Sequence, residues 1–141
     1  MKNPAPLHEQ LLDALVPIVF GTTAALNKIG AENDLSLTQL RVLGILRERQ
    51  PRMAELADYL GLKKSTMSGL IDRAEKRGLV ARTPSLEDSR ATEVFLTEEG
   101  RALVARLHLQ LQQSMAPMTA RLNAAEQRQL RDLLDRMHGM G

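Results

Sequence analysis

Cysteine is absent from the 141 residues, so no disulfide, thiolate metal site or thiol redox switch can be built. Tryptophan is absent too, and Phe20, Tyr59 and Phe95 are the only aromatic residues. A core must therefore be packed from Leu, Ala, Val, Ile and Met, and the seven methionines read as core filler rather than as a cofactor box. No unbroken apolar run approaches the roughly 18 residues of a membrane span, and no charged-then-apolar leader opens the chain. The expectation is a soluble, unexported, cytoplasmic protein with no membrane among its partners. A nucleophile–base pair, a phosphate-cradling glycine loop and paired catalytic carboxylates are all missing, so an enzyme is not expected. His8, His108 and His138 are scattered without clustered acids. They read as surface or interface residues rather than titrating switches, and neither metal nor cofactor is expected.

One-sided charge is scarce as well: the net charge is only +2. Its distribution is more informative than its sum. Residues 1–40 carry 2 Lys/Arg against 4 Asp/Glu, residues 91–141 carry 6 against 6, and residues 41–90 carry 11 against 7. The excess, 11 − 7 = +4, lies in the middle of the chain. A basic patch on a near-neutral chain is the electrostatic footprint expected for nucleic acid.

The middle also carries the most organised stretch, Gly61 to Gly78. Met67, Leu70, Ile71 and Ala74 recur at helical spacing and line one face. The opposite face carries Ser65, Ser68, Gly69, Asp72 and Lys76, flanked by Thr66 and Arg73. A glycine in mid-helix costs roughly 1 kcal/mol against alanine, which is reasonable where another surface must come close. Gly78 after Lys76-Arg77 is a helix-stop signal. Met53, Leu56, Ala57 and Leu60 give a preceding helix that ends at Gly61. Small Ala57, turning Gly61 and apolar Met67 and Leu70 stand where a helix-turn-helix needs them.

The flanks are helical. Met1–Pro6 reads as a loose arm. Leu11, Leu12, Leu15, Ile18, Val19, Leu26 and Ile29 mark a long helix from Leu7 to about Gly30, with a kink or break expected at Pro17. Ser36 and Gln39 form a capping box for a buried helix reaching Arg49. The Met53 helix has no good side-chain cap. Leu79–Thr83 and Thr92–Leu96 alternate as two short strands around the polar loop 84–91, giving a hairpin wing. Thr97 caps another long helix bearing Leu103, Val104, Leu107, Leu111, Met115 and Met118, which Pro117 kinks or ends. Asn123 and Glu126 cap the last helix, with Leu130, Leu133, Leu134 and Met137 on one face. The fold expected is mainly α with a small β-hairpin wing. Residues 1–34 and 98–141 would be dimerisation helices around a DNA-binding lobe at 35–97.

Asp88-Ser89-Arg90, then Val94, then Leu96-Thr97-Glu98-Glu99-Gly100 resembles the D-x-R…L-T-x-x-G wing of the MarR family, the multiple-antibiotic-resistance type of regulator. Ser65–Ser68 and Asp72–Val80 are similar to that family's recognition helix and its run into the wing. The resemblance covers nearly the whole chain. It implies a winged-helix homodimer, a repressor in most cases, with two recognition helices in successive major grooves of a palindromic operator. It also implies control by small phenolic or other aromatic acids bound between the dimerisation helices and the lobe. Ala74 stands where the family commonly has a larger apolar residue, Gly69 where it often has a basic one, and Lys63 where a cap is usual. Without cysteine, the peroxide-sensing mechanism of some relatives is excluded. The scattered histidines argue against the zinc-sensing branch.

On that resemblance Arg90, beside Asp88, aims into a minor groove, with Asp88 orienting the wing rather than touching DNA. Ser65, Thr66, Ser68 and Gly69 face the major groove, Lys63, Lys64 and Arg73 suit phosphates, and Gln39 and Arg52 add backbone contacts. Arg101 or Arg106 could anchor an acidic effector, although spacing alone places neither. The competing reading is a winged-helix module used only for protein–protein assembly. The basic middle and the wing favour DNA.

Overall fold

The computed structural model describes residues 5–139. These form six helices and one two-stranded antiparallel sheet. The first helix, α1 (Leu7–Glu32), runs without a break through Pro17. A proline removes one backbone donor, and the bonded turns on both sides of it carry the helix past that gap. Of the arm expected over Met1–Pro6, only Ala5 and Pro6 lie within the described residues. By length and composition α1 is apolar enough to cross a membrane, with a mean hydropathy of 1.3. The helix reaches that average without an unbroken apolar run, since Thr22, Thr23, Asn27 and Lys28 interrupt it, so the expectation drawn from unbroken runs did not register it. Leu11, Leu12, Ile18, Val19 and Phe20 are exposed along it.

The chain leaves α1 through Asn33 and Asp34, the latter at φ 54°, and Leu35 N–H bonds back to the Gly30 carbonyl at 2.8 Å. Gly30 is required here, because a Cβ would fall 2.4 Å from the Leu35 carbonyl oxygen. Helix α2 (Leu37–Leu46) begins with the expected capping box: Ser36 Oγ accepts from Gln39 N–H and Gln39 Oε1 from Ser36 N–H. It stops at Leu46, three residues before the expected Arg49. The apolar period ends at Leu46, and Pro51 lies just ahead.

Helices α3 (Met53–Leu60) and α4 (Lys64–Lys76) form the helix-turn-helix. Arg52 supplies no side-chain cap to α3, but Glu55 Oε1 accepts its backbone N–H at 3.2 Å and fills part of that gap. Gly61 turns the chain at φ 66°, and Leu62 N–H closes on the Ala57 carbonyl. Ala57, Met67, Leu70 and Ile71 are buried where the helices cross, with Leu56 and Leu43 behind them. Strands β1 (Val80–Pro84) and β2 (Thr92–Leu96) pair with Val80 opposite Leu96 and Pro84 opposite Thr92. Val80, Val94 and Leu96 point into the same core.

Thr97 then caps α5 (Glu98–Thr119), accepting from Gly100 N–H at 3.0 Å. Pro117 lies in its last turn, and the helix ends two residues later. Leu103, Val104 and Leu107 complete the core against α1 and α2. The last helix, α6 (Ala124–His138), has the expected Asn123–Glu126 capping box. No residue of α6 is buried, and Leu130, Leu133, Leu134 and Met137 are all exposed.

Candidate nucleic-acid interface

The inner face of α4 is fixed by Met67 and Ile71, both fully buried. That leaves the other face to solvent. Lys63, Lys64, Ser65, Thr66 and Arg73 are exposed, while Ser68 and Gly69 are half-buried. A Cβ added at Gly69 would meet only the Arg73 guanidinium, at 3.7 Å. The middle of the helix thus presents backbone almost directly to whatever approaches. Lys63 at the N-cap contributes no side-chain bond, so the first-turn N–H groups add their partial positive charge to the lysines.

The wing tip is a closed loop. Ser85 N–H bonds to the Ala91 carbonyl and Ala91 N–H to the Asp88 carbonyl, each at 2.9 Å. Asp88 Oδ1 accepts from Arg90 N–H at 3.0 Å and from Arg90 Nε at 3.4 Å. The Arg90 side chain is nevertheless 90% exposed. It is held at its base and free at its head. Between α4 and the wing runs a groove of about 430 Å³, lined by Arg52, Lys64, Met67, Ser68, Arg82 and Arg90 among others. Four cations facing one groove suit a polyanion.

Sequence reasoning overlooked two arginines that shape this surface. Arg82, on β1, pairs with Asp72 on α4 and lies 3.7 Å from Glu75 Oε1. Asp72 and Glu75 stand three apart on one helical face, which was the available signal for a cation opposite. Arg77, at the end of α4, donates to the carbonyls of Asp34 at 2.9 Å and Asn33 at 3.1 Å. Arg52 lines the groove, but its Nη2 is 3.0 Å from Glu87 of the wing. Gln39 lies beside Ala74 and Arg77 at the other end of α4, its Oε1 engaged in the α2 cap.

A second region lies between α1, α2 and α5. A cavity of about 130 Å³ there is walled mostly by aliphatic side chains, Leu26, Ile29, Leu43 and Leu107 among them, with Arg47 and His108 as its charged or polar lining. His108 is therefore half-buried at a cavity, whereas His8 and His138 are exposed. An open basin of about 540 Å³ adjoins it through Arg47 and Val104 and includes Arg101. Arg101 donates to the Leu96 carbonyl at 3.2 Å, and Arg106 lines neither space. Among the described residues no group of three or more His, Asp or Glu could hold a metal ion.

Comparison with known proteins gives this geometry its context. Residues 33–91 match the profile of the MarR family. The homoprotocatechuate degradative operon repressor of Escherichia coli is 28% identical over 96% of this chain and 92% of its own. The HTH-type transcriptional repressor Mb2911 of Mycobacterium bovis is 31% identical over 82% and 81%. The structure of CouR from Rhodococcus jostii, solved with p-coumaroyl-CoA, superposes with a TM-score of 0.74 at 25% identity, covering 95% of both chains. The helix-turn-helix, the wing and these likenesses converge on one conclusion: the chain belongs to the MarR family of non-enzymatic, DNA-binding transcription regulators.

Proposed function

We propose that the protein is a homodimeric repressor of a palindromic operator, acting in the cytoplasm. The observation that carries this reading is the groove between α4 and the wing, with Ser68 on one side and the outstretched Arg90 on the other. Helix α4 enters the major groove, with Ser65, Thr66, Ser68 and Gly69 at base edges and Lys63, Lys64 and Arg73 on phosphates. Arg90 enters the adjoining minor groove, where a narrow A·T stretch concentrates negative potential. Gln39 and Arg52 flank these contacts on the backbone side. Asp88 orients Arg90.

The division into terminal dimerisation helices, 1–34 and 98–141, and a lobe at 35–97 accounts for the exposed apolar stripes of α1 and α6. A lone subunit would leave Leu11, Leu12, Val19, Leu133 and Leu134 in water. A two-fold partner buries the same patch on both copies. The cavity between α1, α2 and α5 is the proposed effector site, with a small aromatic or otherwise apolar acid as its ligand. The likeness to a homoprotocatechuate degradative operon repressor and to CouR bound to p-coumaroyl-CoA supports a ligand with an aromatic group. Such a ligand releases DNA only by binding one lobe spacing better than the other.

The test is titration against duplexes selected from a random pool, over a range of salt, with light scattering on the same samples. Steep loss of affinity with salt is expected, because condensed counterions are released, together with the mass of a dimer. Absence of duplex binding at low salt sinks the reading in favour of an assembly module, and a monomer at micromolar concentration sinks the dimer.

A further inference from the structure

Leu86 is the most exposed large apolar side chain among the described residues, at 101% of its reference area. It packs on nothing, so the fold has no use for it. Most other exposed apolar side chains lie on α1, α5 and α6, where the proposed second subunit covers them. Tyr59 is another exception, and its ring is spoken for: the guanidinium carbons of Arg41 and Arg49 lie 5.6 and 5.8 Å from its centroid. Leu86 has no such neighbour in the fold, and it stands at the tip of the wing.

Ser85, Glu87, Asp88 and Arg90 of that tip are each engaged. Ser85 is 3% exposed, and its hydroxyl accepts from Glu87 N–H at 3.3 Å. Glu87 is paired with Arg52, and Asp88 with Arg90. Both acids that would repel a phosphate backbone thus have an arginine partner. The Ser85–Ala91 hydrogen bond closes the loop beneath residues 86–90, leaving Leu86 near one side of the tip and Arg90 near the other. A tip stripped of free negative charge, bearing one cation and one apolar group, fits a surface that is anionic at its rim and apolar along its walls. The minor groove of duplex DNA has that character, with phosphates outside and deoxyribose carbons within, and proteins place apolar side chains in it.

We infer that Leu86 is a DNA contact, its isobutyl group packing on the sugar walls of the minor groove while Arg90 supplies the charge. The inference rests on the duplex-binding reading and adds to it an apolar component of affinity that is insensitive to salt. It also gives Arg52 a role: by holding Glu87 it keeps a carboxylate from the groove that Leu86 enters.

The test uses the full chain and the duplex that the wild-type protein selects. Dissociation constants are measured over a salt series for wild type, Leu86→Ala, Leu86→Ser, Leu86→Met and Arg90→Ala. Leu86→Ala should bind about five- to tenfold more weakly at every salt concentration, as expected for losing part of a leucine's burial, with the salt slope unchanged. Leu86→Met should retain most of the affinity. Arg90→Ala should flatten the slope by about one charge. Because Leu86 packs on nothing, the melting temperatures of its variants should match the wild type. Wild-type affinity in Leu86→Ala overturns the inference. Equal losses in Leu86→Met and Leu86→Ser overturn it too, since that pattern reports a disturbed loop. Failure of the wild type to bind any duplex overturns the parent reading instead, and the inference with it.

Discussion

Arg82 of strand β1 is paired with Asp72 of helix α4, and this pair ties the wing to the helix that the proposed reading places in the major groove. Its side chain is 30% exposed and that of Asp72 is 55% exposed, so solvent screens the attraction. Its worth to folding should be no more than about 1 kcal/mol. Its worth to binding is larger, because a wing that is free to swing must be ordered when DNA arrives. Arg82→Met should therefore weaken operator binding by about tenfold while shifting stability by less than about 1 kcal/mol. A double-mutant cycle with Asp72→Asn, read in both affinity and denaturation, checks this. Zero coupling in affinity would remove the pair as a brace.

Gly69 sets stability against function. It is half-buried in mid-helix, and a methyl group there would touch only Arg73. Gly69→Ala should raise unfolding free energy by up to about 1 kcal/mol and at the same time weaken operator binding, because on the proposed reading the added carbon stands where α4 approaches base edges. Chemical denaturation and operator titration of one preparation should move in opposite directions. A gain in both would mean that this face does not meet DNA.

Ser68 and Arg90 should separate specificity from charge. Substituting Ser68 should reorder preference among operator variants, by about 1–3 kcal/mol for a base pair that it reads. Arg90→Ala should weaken all of them alike and flatten the salt slope. Binding selections repeated with each variant distinguish the two patterns, and identical sequence preferences in wild type and Ser68 variants would move the base contact elsewhere.

Gly100 tests the seam between α5 and the lobe. A Cβ there would lie 1.9 Å from the Leu79 carbonyl oxygen, which is backbone and cannot swing aside. Gly100→Ala should cost about 1–3 kcal/mol or more, as overpacking does. Thermal melting should show it plainly, and an unchanged midpoint would mean that α5 slides freely over the strand.

The elements read correctly from the sequence were those set by local chemistry. Ser36 with Gln39 and Asn123 with Glu126 are caps within one turn, and Gly61 and Gly78 both have positive φ. The span Thr92–Leu96 alternates cleanly because one of its faces is buried. Misjudgement came where distant parts compete with local rules. Of the kink or break expected at Pro17, the break does not occur, and α2 was carried past Leu46 into Arg47–Arg49, where the long side chains of Arg47 and Arg49 reach Leu26, Ile29 and the Tyr59 ring without continuing the helix. The wing asparagine-free loop was read for Asp88 and Arg90, yet the partners of Arg52, Arg77 and Arg82 lie 35, 43 and 10 residues away, at Glu87, Asp34 and Asp72. Asp72 and Glu75 three apart on one face hint at a cation opposite, but no helical or strand period says which residue supplies it.

Arg77 makes the C-terminal end of α4 a pivot. Its guanidinium holds the carbonyls of residues 33 and 34, and Thr97 Oγ1 donates to the Gly78 carbonyl at 2.6 Å. Helix α4 is thus anchored at its C-terminal end to the exit of α1 and the entry of α5. Its other end, packed on α3 through the buried Met67, moves with that helix as one helix-turn-helix unit, and on the proposed reading it is the end that meets DNA. The helix has 13 residues and is about 20 Å long. By that length alone, a tilt of about 5° at the anchor carries the other end through about 1.7 Å. A hydrogen bond to a base edge tolerates only a few tenths of an ångström. Small adjustments between α1 and α5 are thereby magnified where, on the proposed reading, they decide whether a base is read.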